Sequence, residues 1–281
     1  MRVRIEHETH YEYDSPIRAL IQILRMTPRS YAGQHVRRWR IEPNIDGHLR
    51  QTEDALGNIV HHFSAESGAR SLSLQVSGEV ETTDTGGVVK GGVTRAPDVY
   101  FLRETALTAP DEALRVFARE ASDFKPDDVL GSMHRLNNRI NAEVTFDTAP
   151  TQVVTTANEA FAMRSGVCQD LTHIFVACAR HLGVPARYVS GYFVRIDGVV
   201  DQDAGHAWAE AQVPGLGWVG FDPANGISTT DAHVRVAVGL DYLGAAPIRG
   251  SRWGGGGETM AVKLTVEDAG GSIQSQQQNQ G

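Results

Sequence analysis

Hydrophobic and polar residues alternate along the first third of the chain and then change to helical spacing. Val3, Ile5 and His7 alternate with charged residues, and Thr9-His10-Tyr11-Glu12-Tyr13 keeps the two-residue period until Asp14-Ser15-Pro16 turns the chain. The same reading predicts strands over Ile21–Met26, Val36–Glu42, Ile59–Ser64 and Ser71–Val80. Turns are expected at Asn44-Ile45-Asp46-Gly47 and Asp54-Ala55-Leu56-Gly57-Asn58. Short strands joined by turns suggest a small sandwich or barrel. The stretch Thr82–Gly92, rich in Gly and Thr, reads as a linker.

From Ala96 the period lengthens. Pro110–Glu120 has Pro near a first helical turn with acids beside it, and Val129–Ala142 places Met133, Leu136 and Ile140 on one face. Thr156-Ala157-Asn158-Glu159 has the spacing of a capping box and predicts a short helix through Arg164. The clearest helix follows Ser165-Gly166-Val167-Cys168-Gln169-Asp170. Leu171, Ile174, Phe175, Cys178 and Leu182 form one apolar stripe, Gly183 suits the residue just past a helix end, and Pro185 prevents continuation. At about 100° per residue Cys178 lies inside that stripe, whereas Cys168 lies roughly 60–70° off its centre, in the first turn. Cys178 is therefore read as core and Cys168 as partly exposed at the helix tip.

Strands are expected next at Arg187–Arg195, His206–Val213 and Trp218–Asp222. Pro214-Gly215-Leu216-Gly217 forms the turn of a hairpin between the last two. Pairing centred on Pro214 sets His206 opposite Asp222, and a centre one residue later leaves them diagonal neighbours on one face. After Gly254–Gly257, Met260, Val262, Leu264 and Val266 alternate as a final strand. The expected organisation is a β-rich region with linker over 1–95, a mixed helix-and-strand core over 96–253, a Gly-rich connector and strand over 254–268, and a disordered tail over 269–281.

Composition changes this picture little. The chain has 281 residues, 41% hydrophobic and 21% charged, with a net charge of −8. That acidity argues against nucleic acid or an anionic membrane as partner. The N-terminus lacks the apolar core of a signal peptide, and no apolar run approaches the ~18 residues of a spanning helix. The two cysteines, ten residues apart on one helix, would lie ~15 Å apart, beyond the ~7 Å a disulfide tolerates. A cytoplasmic protein with reduced thiols is expected.

The thiolate is the nucleophilic form of cysteine, and a helix N-terminus favours it. Alone, Cys168 reads as a small buried hydrophobe, His206 as structural and Asp222 as a turn residue. Together they supply a nucleophile at a helix start with a base and an orienter on facing strands, and Gly166 and Gly205 sit beside two of the three. Trp208 and Trp218 are expected to pack near that site, and Asp170 to cap the helix. A charge on Asp170 close to Cys168 would oppose thiolate formation. His7-x-x-His10 and His61-His62 fall in strands without a completing ligand set and are read as structural. Gly254–Gly257 lacks the Gly-Lys-Ser/Thr of a phosphate loop.

The segments Thr155–Ala160, Gly166–Asp170, Ala186–Tyr192, Gly205–Glu210 and Trp218–Pro223 resemble the bacterial transglutaminase-like superfamily over roughly residues 150–225, and the first ~85 residues look like the β domain that accompanies this core. The resemblance implies an α+β fold, a papain-like transglutaminase core with a helix-borne Cys on an antiparallel sheet, preceded by a small all-β domain. It also implies a Cys168-His206-Asp222 triad acting on peptide-type amides through a thioester, without cofactor or metal, on a peptide or protein substrate. Animal transglutaminases carry Trp directly after the nucleophile, where this chain has Gln169-Asp170. No acidic calcium loop and none of the paired zinc cysteines of peptide N-glycanases are present, so hydrolysis stands beside transamidation. The rival readings are a non-catalytic protein-binding module on the same fold and a small-molecule acyltransferase of the arylamine N-acetyltransferase kind.

Overall fold

The N-terminal strands form because one face of each is apolar, and that face has somewhere to go. In the computed structural model, which describes residues 1–66, 68–92, 94–148 and 151–270, these strands are β1 (Arg2–Tyr13), β2 (Ile17–Thr27), β3 (Gln34–Pro43), β4 (His48–Glu53), β5 (Ile59–Ala65) and β6 (Ser71–Thr82). On β1, Val3, Ile5, His7, Thr9, Tyr11 and Tyr13 point inward, and the polar residues between them face out. β4, polar but for Leu49 and mostly exposed, carries no apolar alternation and was not anticipated.

The segment expected as a linker instead contributes β7 (Val88–Val89), which pairs antiparallel with Val219 and Trp218. Gly86 and Gly87, at φ 61° and 81°, bend the chain into this position. A Cβ on Gly87 would stand 3.3 Å from the Gly220 carbonyl oxygen.

Then come α1 (Glu112–Ser122), α2 (Val129–Glu143), β8 (Thr145–Phe146), α3 (Ala157–Met163), β9 (Ser165–Gly166) and α4 (Cys168–His181). Asp111 caps α1 through the Leu114 N–H. The capping box of α3 forms as expected, with Arg164 as its left-handed C-cap. α4 ends in paired bonds from Gly183 N to Arg180 O and from Val184 N to Ala179 O, with Gly183 at φ 80°.

β10 (Ala186–Phe193), β11 (Asp201–Gln202), β12 (His206–Val213), β13 (Gly217–Asp222), β14 (Ile227–Ser228), β15 (His233–Gly239), α5 (Tyr242–Ala245), β16 (Ile248–Gly254) and β17 (Glu258–Asp268) complete the chain. The central sheet has the order β14-β13-β12-β10-β15, with β7 on β13. Two further large sheets have the orders β11-β17-β1-β6-β3 and β16-β2-β5-β4, and β8 pairs with β9 in a small fourth one. The C-terminal segment thus returns to the N-terminal strands, β16 on β2 and β17 along the length of β1. From residue 271 the expected tail lies outside the described residues.

α4 is enclosed on every side: each residue from Asp170 to Arg180 is buried. Its apolar stripe packs with α1, α2 and α3 and with Ala209, Ala211, Val219 and Phe221 of the central sheet. Burial of each large apolar side chain contributes roughly 1.5–3 kcal/mol. Most of its polar groups find partners, the buried Asp170 Oδ1 and His173 Nδ1 excepted. The Arg180 guanidinium donates to the carbonyls of Phe101, Ala186 and Leu240, and the Thr172 hydroxyl donates to Cys168 O. Cys178 is fully buried. A second cluster, Val3, Ile5, Val80, Leu264 and Val266 against Tyr188, Tyr192, Ala207 and Val234, joins the N-terminal sheet to the central sheet, and Cys168 packs on it.

Candidate active site

The chain places Cys168 through its neighbours on both sides. Ser165-Gly166 pairs in parallel with Thr145-Phe146, and Asp147 N–H donates to Gly166 O at 2.9 Å. Val167 is extended, and α4 begins at Cys168, whose backbone N–H is therefore one of the unsatisfied groups of a helix start. Asp170 reaches back to accept the Val167 N–H at 2.9 Å, the capping role expected of it. The side chain lies tightly against Gly166, where a Cβ would stand 2.7 Å from Asp170 Cβ. That contact is the reason the residue two before the cysteine is glycine. Burial raises the Asp170 carboxyl above its ordinary range, against the Val167 N–H and Thr151, which lower it.

His206 begins β12 opposite Gly191. No side chain fits at Gly191: a Cβ there would meet Val234 O at 2.2 Å and the Trp208 ring at 2.6 Å. Trp208 is buried among Val189, Val238 and Leu56, 6.1 Å from the His206 ring. Trp218 stacks on the Arg187 guanidinium at 3.9 Å. Trp208 packs beside the site as expected, whereas Trp218 packs on Arg187 and Phe101 toward the turn end of β13, away from it.

Asp222 ends β13. The hairpin register pairs Ala209 with Phe221 and Val213 with Gly217, which centres the turn on Gly215 rather than Pro214. His206 and Asp222 are therefore diagonal, on the same face. His206 Nε2 donates to Asp222 Oδ2 at 2.7 Å, and the Cys168 thiol lies close enough to the imidazole to favour its charged form, with Nδ1 the nitrogen left free. The three residues singled out in the sequence meet.

Burial works against a charged His206, but the charge and hydrogen bond of Asp222, reinforced by Cys168, raise the imidazole to about 10. Burial likewise opposes ionised Asp222, and His206 and His233 overcome it, holding the carboxyl well below its ordinary range.

Two partners of Asp222 were missed in the sequence. His233 Nε2 lies 3.1 Å from Asp222 Oδ2, and Asn225 Nδ2 donates to the same oxygen at 2.7 Å. Oδ1 accepts the N–H groups of Ala224 and Asn225 at 3.1 and 3.2 Å, an Asx turn, so Asp222 is turn residue and histidine partner at once. Asn225, three residues past Asp222, was legible as a turn donor. The His233 signal, the alternating run His233–Val238, passed unread.

His206, Asp222 and His233 have the residue types of a metal centre, with donor atoms within 4.8 Å. Both imidazoles, however, converge on one carboxylate oxygen at hydrogen-bond distance, and this arrangement accounts for all three without a metal. The other histidine candidates are not brought together. His7 bonds Tyr192 Oη and Thr9 Oγ1 and is lowered by burial to about 4, His10 bonds Ser73 Oγ, and His62 bonds Thr52 Oγ1. Gly254–Gly257 turns β16 into β17, where Gly257 N–H donates to Asp14.

Two family models match the chain. The bacterial transglutaminase-like N-terminal region matches residues 3–81, and the transglutaminase-like superfamily core matches residues 116–223, a span that contains Cys168, His206 and Asp222. An uncharacterized protein of Mycobacterium leprae is 29% identical over 94% of this chain and 98% of its own. An uncharacterized protein of Mycobacterium tuberculosis is 29% identical over 89% and 87%. A solved structure from Cytophaga hutchinsonii, described as a candidate cysteine protease, superposes with a TM-score of 0.75 at 20% identity, covering 96% of this chain and 91% of its own. Among the described residues no helix is long and apolar enough to cross a membrane.

Proposed function

We propose, from the premise that the chain belongs to the transglutaminase-like superfamily, that it is a thiol enzyme transferring acyl groups from peptide-type amides through Cys168, His206 and Asp222. The observation that carries this reading is the His206 imidazole held between the Cys168 thiol and the Asp222 carboxylate at the start of α4.

His206 takes the proton of Cys168, and Asp222 stabilises the resulting imidazolium in a buried setting. The thiolate sulfur attacks the amide carbonyl carbon, and the oxyanion is met by the Cys168 backbone N–H at the helix start. Removing one such donor elsewhere costs roughly 3–4 kcal/mol. The C–N bond breaks as the imidazolium gives its proton to the departing amine, leaving a thioester on Cys168. Water or a second amine, deprotonated by His206, attacks the thioester carbonyl, and the thiolate leaves with the imidazolium restored. A peptide or protein is the substrate class this chemistry suits. The candidate cysteine protease from Cytophaga hutchinsonii lends the fold to this reading.

The test is iodoacetamide labelling of the native protein between about pH 5 and 8, read by mass spectrometry, with Cys168→Ala as control. Cys168 is expected to label faster than a free thiol at the acidic end. Labelling no faster than a free thiol, together with activity unchanged in Cys168→Ala, overturns the proposal. Quenching at low pH and identifying the adduct on Cys168 then names the acyl donor.

A further inference from the structure

Asp222 shares its reactive oxygen with a second histidine, and the surroundings of that histidine fix its tautomer. His233 is buried at the start of β15, where Thr230 N–H donates to its Nδ1 at 3.0 Å. In the neutral ring the hydrogen is then on Nε2, which stands 3.1 Å from Asp222 Oδ2. The ring is held by Phe193 at 4.7 Å and by the edge-on Trp208 at 5.2 Å, so it cannot turn away without opening the packing.

The charged and titratable groups around it are few. Asp222 faces it from the end of β13 and His206 from the start of β12, with ring centroids 6.1 Å apart. Tyr31, Glu210 and Arg235 line the small cavity of about 30 Å³ behind it, and the last two are paired with each other. Burial favours the neutral ring and outweighs the opposing effect of Asp222.

We infer that His233 is a positioning residue for the reaction: as a neutral donor it fixes Asp222 Oδ2 toward His206 and keeps the carboxylate ionised, so that the Cys168–His206 ion pair persists in acid. The inference rests on the proposed triad and deepens it. The geometry requires a donor that stays neutral, because a second imidazolium on the same oxygen would compete with His206 for the charge of Asp222. Thr230 meets that requirement by occupying Nδ1 with a donor, leaving no acceptor site for a second proton.

The experiment measures the iodoacetamide rate of Cys168 against pH in the full chain, for wild type, His233→Leu and His233→Gln. Leucine keeps the bulk without the donor, and glutamine restores a neutral N–H at similar reach. In His233→Leu the acid-side midpoint is expected to rise by about one pH unit, a tenfold loss of the ion-paired form at a given acidic pH, and in His233→Gln to return most of the way. An unmoved midpoint in His233→Leu overturns the inference while leaving the triad standing, as do equal shifts in both variants. A wild-type Cys168 that labels like a free thiol overturns the triad reading and this inference with it. Should His233→Leu not fold, His233→Asn, whose amide is too short to reach Asp222, takes its place beside His233→Gln with the same expectations.

Discussion

His206 Nε2 lies 2.7 Å from Asp222 Oδ2 although the two strands that carry them stop pairing at Ala209 and Phe221. The contact crosses the open end of the hairpin diagonally, where the strands diverge and leave room for the imidazole to reach Cys168. A turn centred on Pro214 would have placed the two side chains directly opposite.

Replacing Asp222 by Asn removes the charge that overcomes burial at His206. The imidazole, raised to about 10 in the native protein, then falls toward or below its ordinary 6.5. Below pH 6.5 the native pair contributes its full stabilisation from His206, and that part is lost as pH rises through about 10. The part due to Asp222, whose carboxyl is depressed, is present above its ordinary 3.8 and is lost as pH falls below it. Urea unfolding should show Asp222→Asn less stable by about 3–5 kcal/mol at neutral pH, with the gap narrowing as pH rises from 6.5 to about 10. Acyl transfer should fall by about four orders of magnitude, the cost of the corresponding change in a serine protease. An unchanged His206 titration by NMR would contradict this.

Gly166→Ala sets a methyl group 2.7 Å from Asp170 Cβ and 2.8 Å from its Oδ2. The carboxylate must shift and its bond to Val167 N–H must lengthen, which unseats the first turn of α4. The expected cost is roughly 1–3 kcal/mol, as for other overpacked sites, seen in urea melts with a slower reaction of Cys168. A melt unchanged from wild type would mean that the turn yields freely.

The two thiols differ in access. Cys168 is partly exposed, whereas Cys178 is enclosed and burial raises its thiol far above the ordinary range. Ellman's reagent should titrate one thiol per native chain and a second only in denaturant, and Cys168→Ala should abolish the native signal. Cys178→Ala should leave that signal in place while lowering stability by about 1 kcal/mol for the lost packing.

The local signals were legible. α4 announced itself by its stripe and its Gly183 terminus, and Gly166-Val167-Cys168, Gly205-His206 and Phe221-Asp222-Pro223 each sit on the element their patterns suggested. What the sequence hid depends on pairing between distant segments. His233 reaches Asp222 only because β15 joins β10 at the far edge of the sheet. Val88-Val89, two residues among glycines, is a strand only because β13 offers it an edge. β17 was legible as a final strand and residues 248–253 of β16 read as part of the 96–253 core, yet the two pair with the first and second strands of the chain. One residue of turn geometry, with Gly215 and Gly217 at φ 81° and 86°, moved the hairpin centre.

That return of the C-terminal strand has a consequence for the site. β17 pairs with β1 from Val3–Asp268 to Tyr13–Glu258, and its Leu264 and Val266 belong to the cluster against which Cys168 packs. Val266 is fully buried beside Ile5, so Val266→Asp places a carboxylate there without a partner. The variant should lose about 3–5 kcal/mol of stability or fail to fold, whereas Val266→Ala should lose about 1–3 kcal/mol and remain soluble. Because the cluster backs Cys168, Val266→Ala should also slow iodoacetamide labelling of Cys168 while leaving the α4 stripe intact. Labelling at the wild-type rate, with the stability loss present, would show that the N-terminal sheet supports the fold without shaping the nucleophile's surroundings.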